Sequence, residues 1–289
     1  MVNNNLPQLK AALNAPSVKA KFEEMLGKRS SQFMTSITSV VQNNSLLQKA
    51  DVNSIIMGSA IAASMDLPLN PNLGYAALVP FNSKEGCFAQ LQVMTKGWVE
   101  LFLRSGQCQS IINELVYEGQ LVKKNKFTGE YVFDEDAKKS DKIIGVMAYF
   151  RLTNGYEKYE YMTIEDIKAH AQKFSQTYRR GAGIWKDHFE AMALKVVLKK
   201  LITKWAPKSI EMQQVALFDQ SIVKGDVAKL ESAVPEYNEP GTEEQGEKTY
   251  TDFEDVKEEK EKESAIVDKE TGEIKQEPAK AAENEALEF

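Results

Sequence analysis

The chain has 289 residues and a net charge of −6, which averages two unlike parts. Residues 227–289 contain 8 lysines and 20 acidic residues, a charge of −12, whereas residues 1–226 contain 28 basic and 22 acidic residues, a charge of +6. No apolar run is long enough to span a bilayer, MVNNNLPQLK has no apolar signal region, and two cysteines cannot form a disulfide framework. We therefore expect a cytoplasmic protein whose basic body meets a polyanion.

Residues 1–66 predict an N-terminal helical lobe. Apolar residues recur at helical spacing from Ser17 to Leu26, where Gly27 ends the helix, and again around Ile37. A third helix begins after Asp51, a favourable N-cap. Its small residues favour close packing against another helix.

Residues 67–226 predict an α+β core built on an antiparallel hairpin and sheet. GYAALVPF and CFAQLQVM form the first hairpin, and Ala89, Leu91 and Val93 share its core face. In the helix that follows, KGWVELFLRS, Gly97 indicates the close approach of a strand or a ligand. Further strands are predicted at SIINELVYEG, at the hairpin LVKKNKFTGEYVF, and at IIGVMAYFRL and YEKYEYM, before a helix with a capping box at Thr163.

The stretch from Trp185 to Trp205 predicts one long helix of about 30 Å. Two opposite apolar strips place it between two layers of protein. Two basic seams run between the strips, one formed by His188, Lys195 and Lys199, the other by Lys186, Lys200 and Lys204. Judged from the helix alone, these lysines extend from a core helix into solvent; the alternative is that they face a bound anion.

Beyond Asp226 the chain is acidic, repetitive and poor in core residues, so residues 227–289 are predicted to form a disordered acidic tail. Its last residues, AAENEALEF, combine acidic and apolar side chains in a form suited to a short docking motif. An inert tail is the alternative.

Sequence signatures of catalysis are missing. The two histidines, His170 and His188, are too few for a histidine-rich metal site, and no H-E-x-x-H or C-x-x-C motif occurs. The segment GKRS lacks the first glycine of a P-loop, RGAG lacks the third glycine of a dinucleotide fingerprint, and there is no G-x-S-x-G. We expect no catalytic residue and no metal site.

Three long blocks carry a family resemblance: LDLPLNPNLGYAALVPF, then AQLQVMTKGWVELFLRSGQ, then IWKDHFEAMALKVVLKKLITKWAP. In this order and spacing, between about residues 10 and 220, the chain resembles the phage RecT recombinases, single-strand annealing proteins similar in role to lambda Red beta. The resemblance implies a compact α+β fold, ATP-independent annealing of complementary DNA strands, and assembly as oligomers or filaments on DNA. Thr95 departs from the aromatic residue expected there, so the resemblance supports no stacking role at that position.

With that resemblance, the basic residues are expected to bind DNA. Phosphate contacts are expected from Lys96, Arg104, Lys195 and Lys199, with Arg179, Arg180, Lys186, Lys200 and Lys204 as further candidates. Gln90 and Gln92 are expected to touch sugars or bases without favouring a sequence. Lys123, Lys124 and Lys126 grip the second strand or face solvent, and the turn from Phe81 to Phe88 wedges between bases or packs in the sheet.

The expected partners are single-stranded DNA, the annealed duplex intermediate, further copies of the chain, a partner exonuclease and, through the tail, a host single-strand-binding protein. No cofactor is expected, although Mg²⁺ can assist DNA binding. Two alternatives stay open. One is a metal-dependent nuclease or other nucleic-acid enzyme, and the other is a structural oligomer whose basic seams meet the acidic tail of a neighbour.

Overall fold

The computed structural model describes residues 4–236 except 71, 84, 126, 180, 182 and 183. It confirms the predicted α+β class with antiparallel sheets. The helices are α1 (Leu6–Leu13), α2 (Pro16–Leu26), α3 (Ser30–Gln42), α4 (Val52–Ser64), α5 (Thr95–Arg104), α6 (Ile164–Phe174), α7 (Gln176–Arg179), α8 (Ile184–Asp187), α9 (Phe189–Trp205) and α10 (Ile210–Phe218). The strands are β1 (Ala76–Ser83), β2 (Gly86–Val93), β3 (Cys108–Tyr117), β4 (Leu121–Asn125), β5 (Glu130–Phe133), β6 (Ile143–Leu152), β7 (Glu157–Thr163), β8 (Ile222–Lys224) and β9 (Val234–Glu236).

Helix α4 lies in the centre of the core. The Asp51 carboxylate accepts a hydrogen bond from the Ser54 amide at 2.8 Å, which confirms the predicted N-cap. Residues 54–63 are all buried, as expected for a helix that is apolar on every side. Its small residues admit strands as well as helices, because a Cβ built on Gly58 lies 3.0 Å from the Leu78 side chain of β1. The hydrophobic core is therefore continuous across the predicted lobe boundary at residue 66.

Strands β1 and β2 form the predicted hairpin, with Ala76 opposite Val93 and Phe81 opposite Phe88. The predicted core face is confirmed, since Ala89, Leu91 and Val93 are completely buried. This hairpin packs on α4 and is joined at Leu91 to the segment that precedes β8.

Strands β3, β6 and β7, each predicted as a strand, form a three-stranded antiparallel sheet in the order β3-β6-β7. Val146, Ala148 and Phe150 of β6 point into the core, where α9 packs across the sheet. The β4–β5 hairpin packs on the opposite face through Tyr131 and Phe133, whose rings lie 6.1–6.3 Å from aromatic rings of β7. The predicted capping box at Thr163, confirmed in the structure, then starts α6.

The prediction of one helix from Trp185 to Trp205 is wrong at its N-terminal end. Helix α8 ends at Asp187, and His188 has φ −134° and ψ 47°, outside the helical region. The His188 carbonyl accepts the first hydrogen bond of α9, from Met192, at 3.1 Å. The break lets Trp185 turn into the core, where its ring packs edge-on against Tyr178. Helix α9 contacts the three-stranded sheet and α5, as its two apolar strips predicted.

The ordered core extends further than composition indicated. The predicted start of the tail at residue 227 is too early, because Val227 is buried and β9 pairs with β8. At the end of β9, Glu236 forms an ion pair with Lys224 at 2.7 Å, and Lys224 also lies 3.9 Å from Glu85 in the β1–β2 turn. The rest of the predicted tail, residues 237–289, lies outside the described residues.

No helix in the described part of the chain is both long enough and apolar enough to cross a membrane.

Gly97 provides a test of the packing between α5 and Tyr75, the residue directly before β1. A Cβ at this position clashes with the backbone carbonyl of Tyr75 and lies 2.9 Å from a Val93 methyl group, so the close approach inferred from the glycine is made by backbone. Gly97→Ala is expected to lower the free energy of unfolding by about 1–3 kcal/mol, measured by urea denaturation. Lys96→Ala, at the exposed neighbouring position, is the control and should change it little; unaltered stability of Gly97→Ala would contradict this packing.

Candidate nucleic-acid interface

A part-buried ion pair joins α9 to the end of β2. Lys199 Nζ lies 2.9 Å from Asp219 Oδ2 and 3.5 Å from the Val93 carbonyl oxygen. The other oxygen of Asp219 accepts a hydrogen bond from the Val93 amide at 2.8 Å. The side chains of Lys199 and Asp219 are 27% and 11% exposed, so much of the pair is removed from solvent. We call this arrangement of Lys199, Asp219 and Val93 the Asp219 junction.

Residues 220 and 221 continue the junction along β2. The Gln220 amide donates to the Leu91 carbonyl at 2.8 Å, and the Leu91 amide donates to the Ser221 carbonyl at 3.2 Å. Gln90, one of the predicted DNA contacts, is buried, and its Nε2 donates to the Gln220 carbonyl. Gln92 is half-buried on the same face. The structure thus brings Gln90 and Lys199 together, but both contact residues 219–220 of the protein and not a free surface.

Arg104 belongs to a different contact, at the C-terminal end of α5. Its guanidinium donates to Glu100 at 2.9 Å and to the carbonyls of Met65 and Asp66 at 2.9 and 3.2 Å. These carbonyls follow the end of α4, where helix carbonyls lack intrahelical donors. Arg104 therefore caps α4. Lys96 lies at the N-terminal end of α5, about 12 Å from Arg104 along the axis of that helix.

Other predicted contacts surround β7 and the β4–β5 hairpin. Lys200 forms an ion pair with Glu160 of β7 at 2.8 Å, and Lys123 pairs with Glu130 across the hairpin at 2.9 Å. The ammonium group of Lys124 lies 5.0 Å from the centre of the Tyr161 ring. Lys124 and Lys200 therefore contribute to holding the hairpin and α9 against the sheet, whereas Lys123 links the two strands of the hairpin.

The remaining predicted cations are more accessible. Lys195 is half-buried, with Nζ 3.9 Å from the Met192 sulfur. Among the described residues, no carboxylate lies within ion-pair distance of Lys96, Lys124, Arg179, Lys186 or Lys204, all of which are exposed. Lys126 and Arg180 lie outside the described residues.

The predicted wedge at the β1–β2 turn has one aromatic side chain in the core and one near the surface. Phe81 is buried, whereas Phe88, directly opposite, is only half-buried. Packing in the sheet therefore accounts for Phe81, and Phe88 is the aromatic residue left partly accessible beside the turn.

Sequence reasoning missed Lys158 and the surface position of Trp205. The ammonium groups of Lys158 and Lys204 lie 4.3 and 4.9 Å from the centre of the Trp205 ring. Helical periodicity assigned Trp205 to an apolar strip of the helix. Lys158 precedes Tyr159 in β7, and nothing in the local sequence indicated that it would meet Trp205. The available signal was the position of Trp205, two residues before Pro207, where the helix and its buried strip end.

The charge of this surface comes from lysine, arginine and carboxylate side chains. Burial raises the pKa of the Cys87 and Cys108 thiols, and burial with the nearby Lys200 lowers the pKa of His170. Desolvation and a hydrogen bond to Glu157 raise the pKa of Tyr149 to about 12. These groups are therefore neutral at neutral pH. In the part of the chain that the structure describes, no group of three or more His, Cys, Asp or Glu could hold a metal ion.

The Asp219 junction predicts a coupling that a double-mutant cycle measures. Lys199→Met and Asp219→Asn should each lower the free energy of unfolding by about 1–3 kcal/mol, because each leaves a part-buried partner unpaired. The double variant should lose at least about 1 kcal/mol less than the sum of the single losses. The matched control is the pair Lys200 and Glu160, changed to Met and Gln, whose coupling should be about 0.5 kcal/mol. Strictly additive losses at Lys199 and Asp219 would refute the junction.

Comparison with known proteins places these elements in a family. The model of the RecT family matches residues 31–235, which include both hairpins, the central sheet and α9. The chain is 43% identical over 209 residues to the uncharacterized protein YqaK of Bacillus subtilis (strain 168), covering 72% of this chain and 71% of that protein. It is 29% identical over 222 residues to protein RecT of Escherichia coli (strain K12), covering 72% of this chain and 78% of that protein. The chain belongs to the RecT family, which supports a role in recombination as a phage-type single-strand annealing protein.

Proposed function

We propose that this protein binds single-stranded DNA and anneals complementary strands without ATP, assembling as a homo-oligomer or filament on the DNA. The observation that carries the proposal is the family match over residues 31–235, which spans nearly all of the described core. No enzymatic activity is part of this role.

Accessible cations on several elements support it physically. Lys96 on α5, Arg179 on α7, Lys186 on α8 and Lys204 on α9 are exposed, and residues 1–226 carry a net charge of +6. Contacts to phosphate are independent of sequence and leave base edges free, which is what pairing of two complementary strands requires.

The geometry changes the roles we assign to several predicted contacts. We assign Arg104, Lys199 and Gln90 to positioning α4, α9 and β2, because each is already engaged by protein atoms. The proposed phosphate contacts are then the exposed Lys96, Lys186, Arg179 and Lys204. Lys195 stays with them because the resemblance implies it, although its ammonium group also contacts Met192. Lys123, Lys124, Lys126, Arg180, Lys200 and Gln92 remain predicted contacts of lower rank.

The β1–β2 turn has a separate proposed role. Phe88 is half-buried beside a turn whose residues Glu85 and Gly86 are exposed, so it can enter between bases of a strand held nearby. Unstacking a step costs a few kcal/mol, which contacts to the backbone on either side offset.

Partners follow from the same role. A partner exonuclease supplies single strands, the acidic tail docks a host single-strand-binding protein, and Mg²⁺ assists DNA binding by screening phosphates, all within the cytoplasm of a bacterial host. These partners are proposals from the family and from the charge of residues 227–289.

The proposed function is tested by mixing the protein with two complementary labelled oligonucleotides without ATP. Annealing should be faster than that of the bare strands, and the strands should stay intact with Mg²⁺. No acceleration would reject the proposal, and strand degradation would favour a nuclease instead.

Two lysine variants test the interface itself. Lys96→Ala and Lys195→Ala should each weaken binding of an oligonucleotide and reduce the slope of log K against log salt by about 0.7, one phosphate's share on a single strand. Lys10→Ala, which removes an exposed lysine from α1, is the control. Binding constants and slopes equal to those of the parent protein would assign both lysines a structural role.

Truncation tests the tail. Removal of residues 237–289 should leave annealing of bare DNA intact, because the family match ends at residue 235 and β9 ends at Glu236. Removal of all residues after Asp226 should instead destabilise the protein, since it deletes the buried Val227 and β9. Annealing rates and melting temperatures of the two truncated proteins separate loss of annealing from loss of stability. If the protein without residues 237–289 no longer anneals DNA, the tail belongs to the annealing core.

A further inference from the structure

The indole of Trp205 is the one tryptophan side chain that reaches the surface. The sequence has three tryptophans, of which Trp98 and Trp185 are 2% and 4% exposed, whereas Trp205 is 36% exposed. Trp205 is the last residue of α9, so its ring lies where the helix leaves the core. A large aromatic face kept in water at the end of a core helix is available to a ligand.

Two ammonium groups share this ring. Lys204 comes from the last turn of α9 and Lys158 from β7, at 4.9 and 4.3 Å from the ring centre. A helix C-terminus favours a lysine at position 204, but that does not account for a second lysine reaching the ring from a strand. Two like charges beside one indole repel each other, and a bound anion relieves that repulsion.

The neighbouring lysines of α9 behave differently. Lys199 and Lys200 are neutralised by Asp219 and Glu160, yet no carboxylate among the described residues lies within ion-pair distance of Lys158 or Lys204. The same helix therefore has one pair of lysines used for structure and, one turn further on, a lysine with no counter-charge among the described residues.

The turn of the β4–β5 hairpin borders the same place. A Cβ built on Gly129 lies 3.0 Å from Lys158 Nζ, so the turn reaches this lysine. Phe127, in the same turn, is 90% exposed. Two lysines and an accessible aromatic ring, brought together from a helix and a strand beside a hairpin turn, form the kind of site that proteins use to hold single-stranded nucleic acid.

We infer that Trp205, Lys158 and Lys204 form a subsite for one nucleotide of single-stranded DNA, with the base stacked on the indole and the flanking phosphates held by the two ammonium groups. The inference rests on the proposed function and adds a site on the β7 side of α9. Lys200, on that side, contacts β7, whereas Lys199 contacts Asp219 and β2. The subsite and the Asp219 junction therefore lie on different sides of α9.

The lysines exchange their contacts when DNA binds. In the free protein the ammonium groups lie against the ring, where the cation–π attraction holds them. A base takes the ring face, and the flexible lysine side chains turn to the phosphates on either side of it. The charge of the subsite is then balanced by the ligand.

Tryptophan fluorescence tests the subsite directly, using the full-length protein and an oligothymidylate. Because the other two tryptophans are buried, binding should quench mainly the emission of Trp205, and Trp205→Phe should lose most of the quenching. Trp205→Ala should weaken binding, followed by anisotropy of a labelled oligonucleotide, by roughly 5- to 150-fold, as expected for one stacked base. Lys158→Gln and Lys204→Gln should each lower the salt slope by about 0.7.

Lys10→Gln is the charge-matched control, and thermal unfolding of each variant separates a folding defect from a binding defect. Parent-like affinity, salt slope and quenching in the Trp205 and lysine variants, with the parent protein still binding and annealing DNA, would overturn the subsite alone. A parent protein that neither binds nor anneals DNA would overturn the proposed function and the subsite with it. Iodide quenching of Trp205 tests whether the acidic tail occupies the subsite. If deletion of residues 237–289 makes Trp205 more accessible to iodide, and DNA does not protect Trp205 from iodide, the tail is the occupant and the inference is overturned.

Discussion

The position of α9 relative to the β1–β2 hairpin depends on the interactions of the Asp219 carboxylate. One of its oxygens compensates the ammonium group of Lys199 and the other accepts the amide of Val93, so a single side chain joins α9, β2 and the segment after α10. The hydrogen bonds of residues 220 and 221 to Leu91 extend the connection along the hairpin. Lys199, Asp219 and the Val93 amide therefore set the position of the β1–β2 hairpin relative to α9. Replacing either side chain alone leaves a charge or an amide of its partner unsatisfied.

This constraint divides the lysines of α9 by role. Lys199 and Lys200 have carboxylate partners and fix the helix to β2 and β7, whereas Lys204 lies at the end of the helix beside an exposed indole. Net positive charge on a helix is thus a poor guide to where an anion binds. What matters is whether a carboxylate from another element already neutralises each cation.

Local pattern predicted most of the fold, because strands β3, β6 and β7 and both early hairpins have period-two alternation and clear turn residues. The same pattern could not reveal the partner of Lys199, since Asp219 is twenty residues away and beyond an unpredicted helix, α10. It also missed the break at His188, where burial of Trp185 outweighs helical continuity. Composition placed the start of the tail too early because charged residues around 229–236 conceal a short strand and a buried Val227. For the same reason, DNA contacts at individual residues remain predictions, as they depend on tertiary partners.

The ion pairs of Lys224 have a consequence for the acidic segment that follows. Because Lys224 contacts both Glu236 and Glu85, the chain leaves the core next to the β1–β2 turn. Residues 237–289 are tethered there, so their local concentration around the turn is high whatever their conformation. If DNA enters beside Phe88 as proposed, it meets a covalently attached polyanion there, and added salt screens the repulsion between the two.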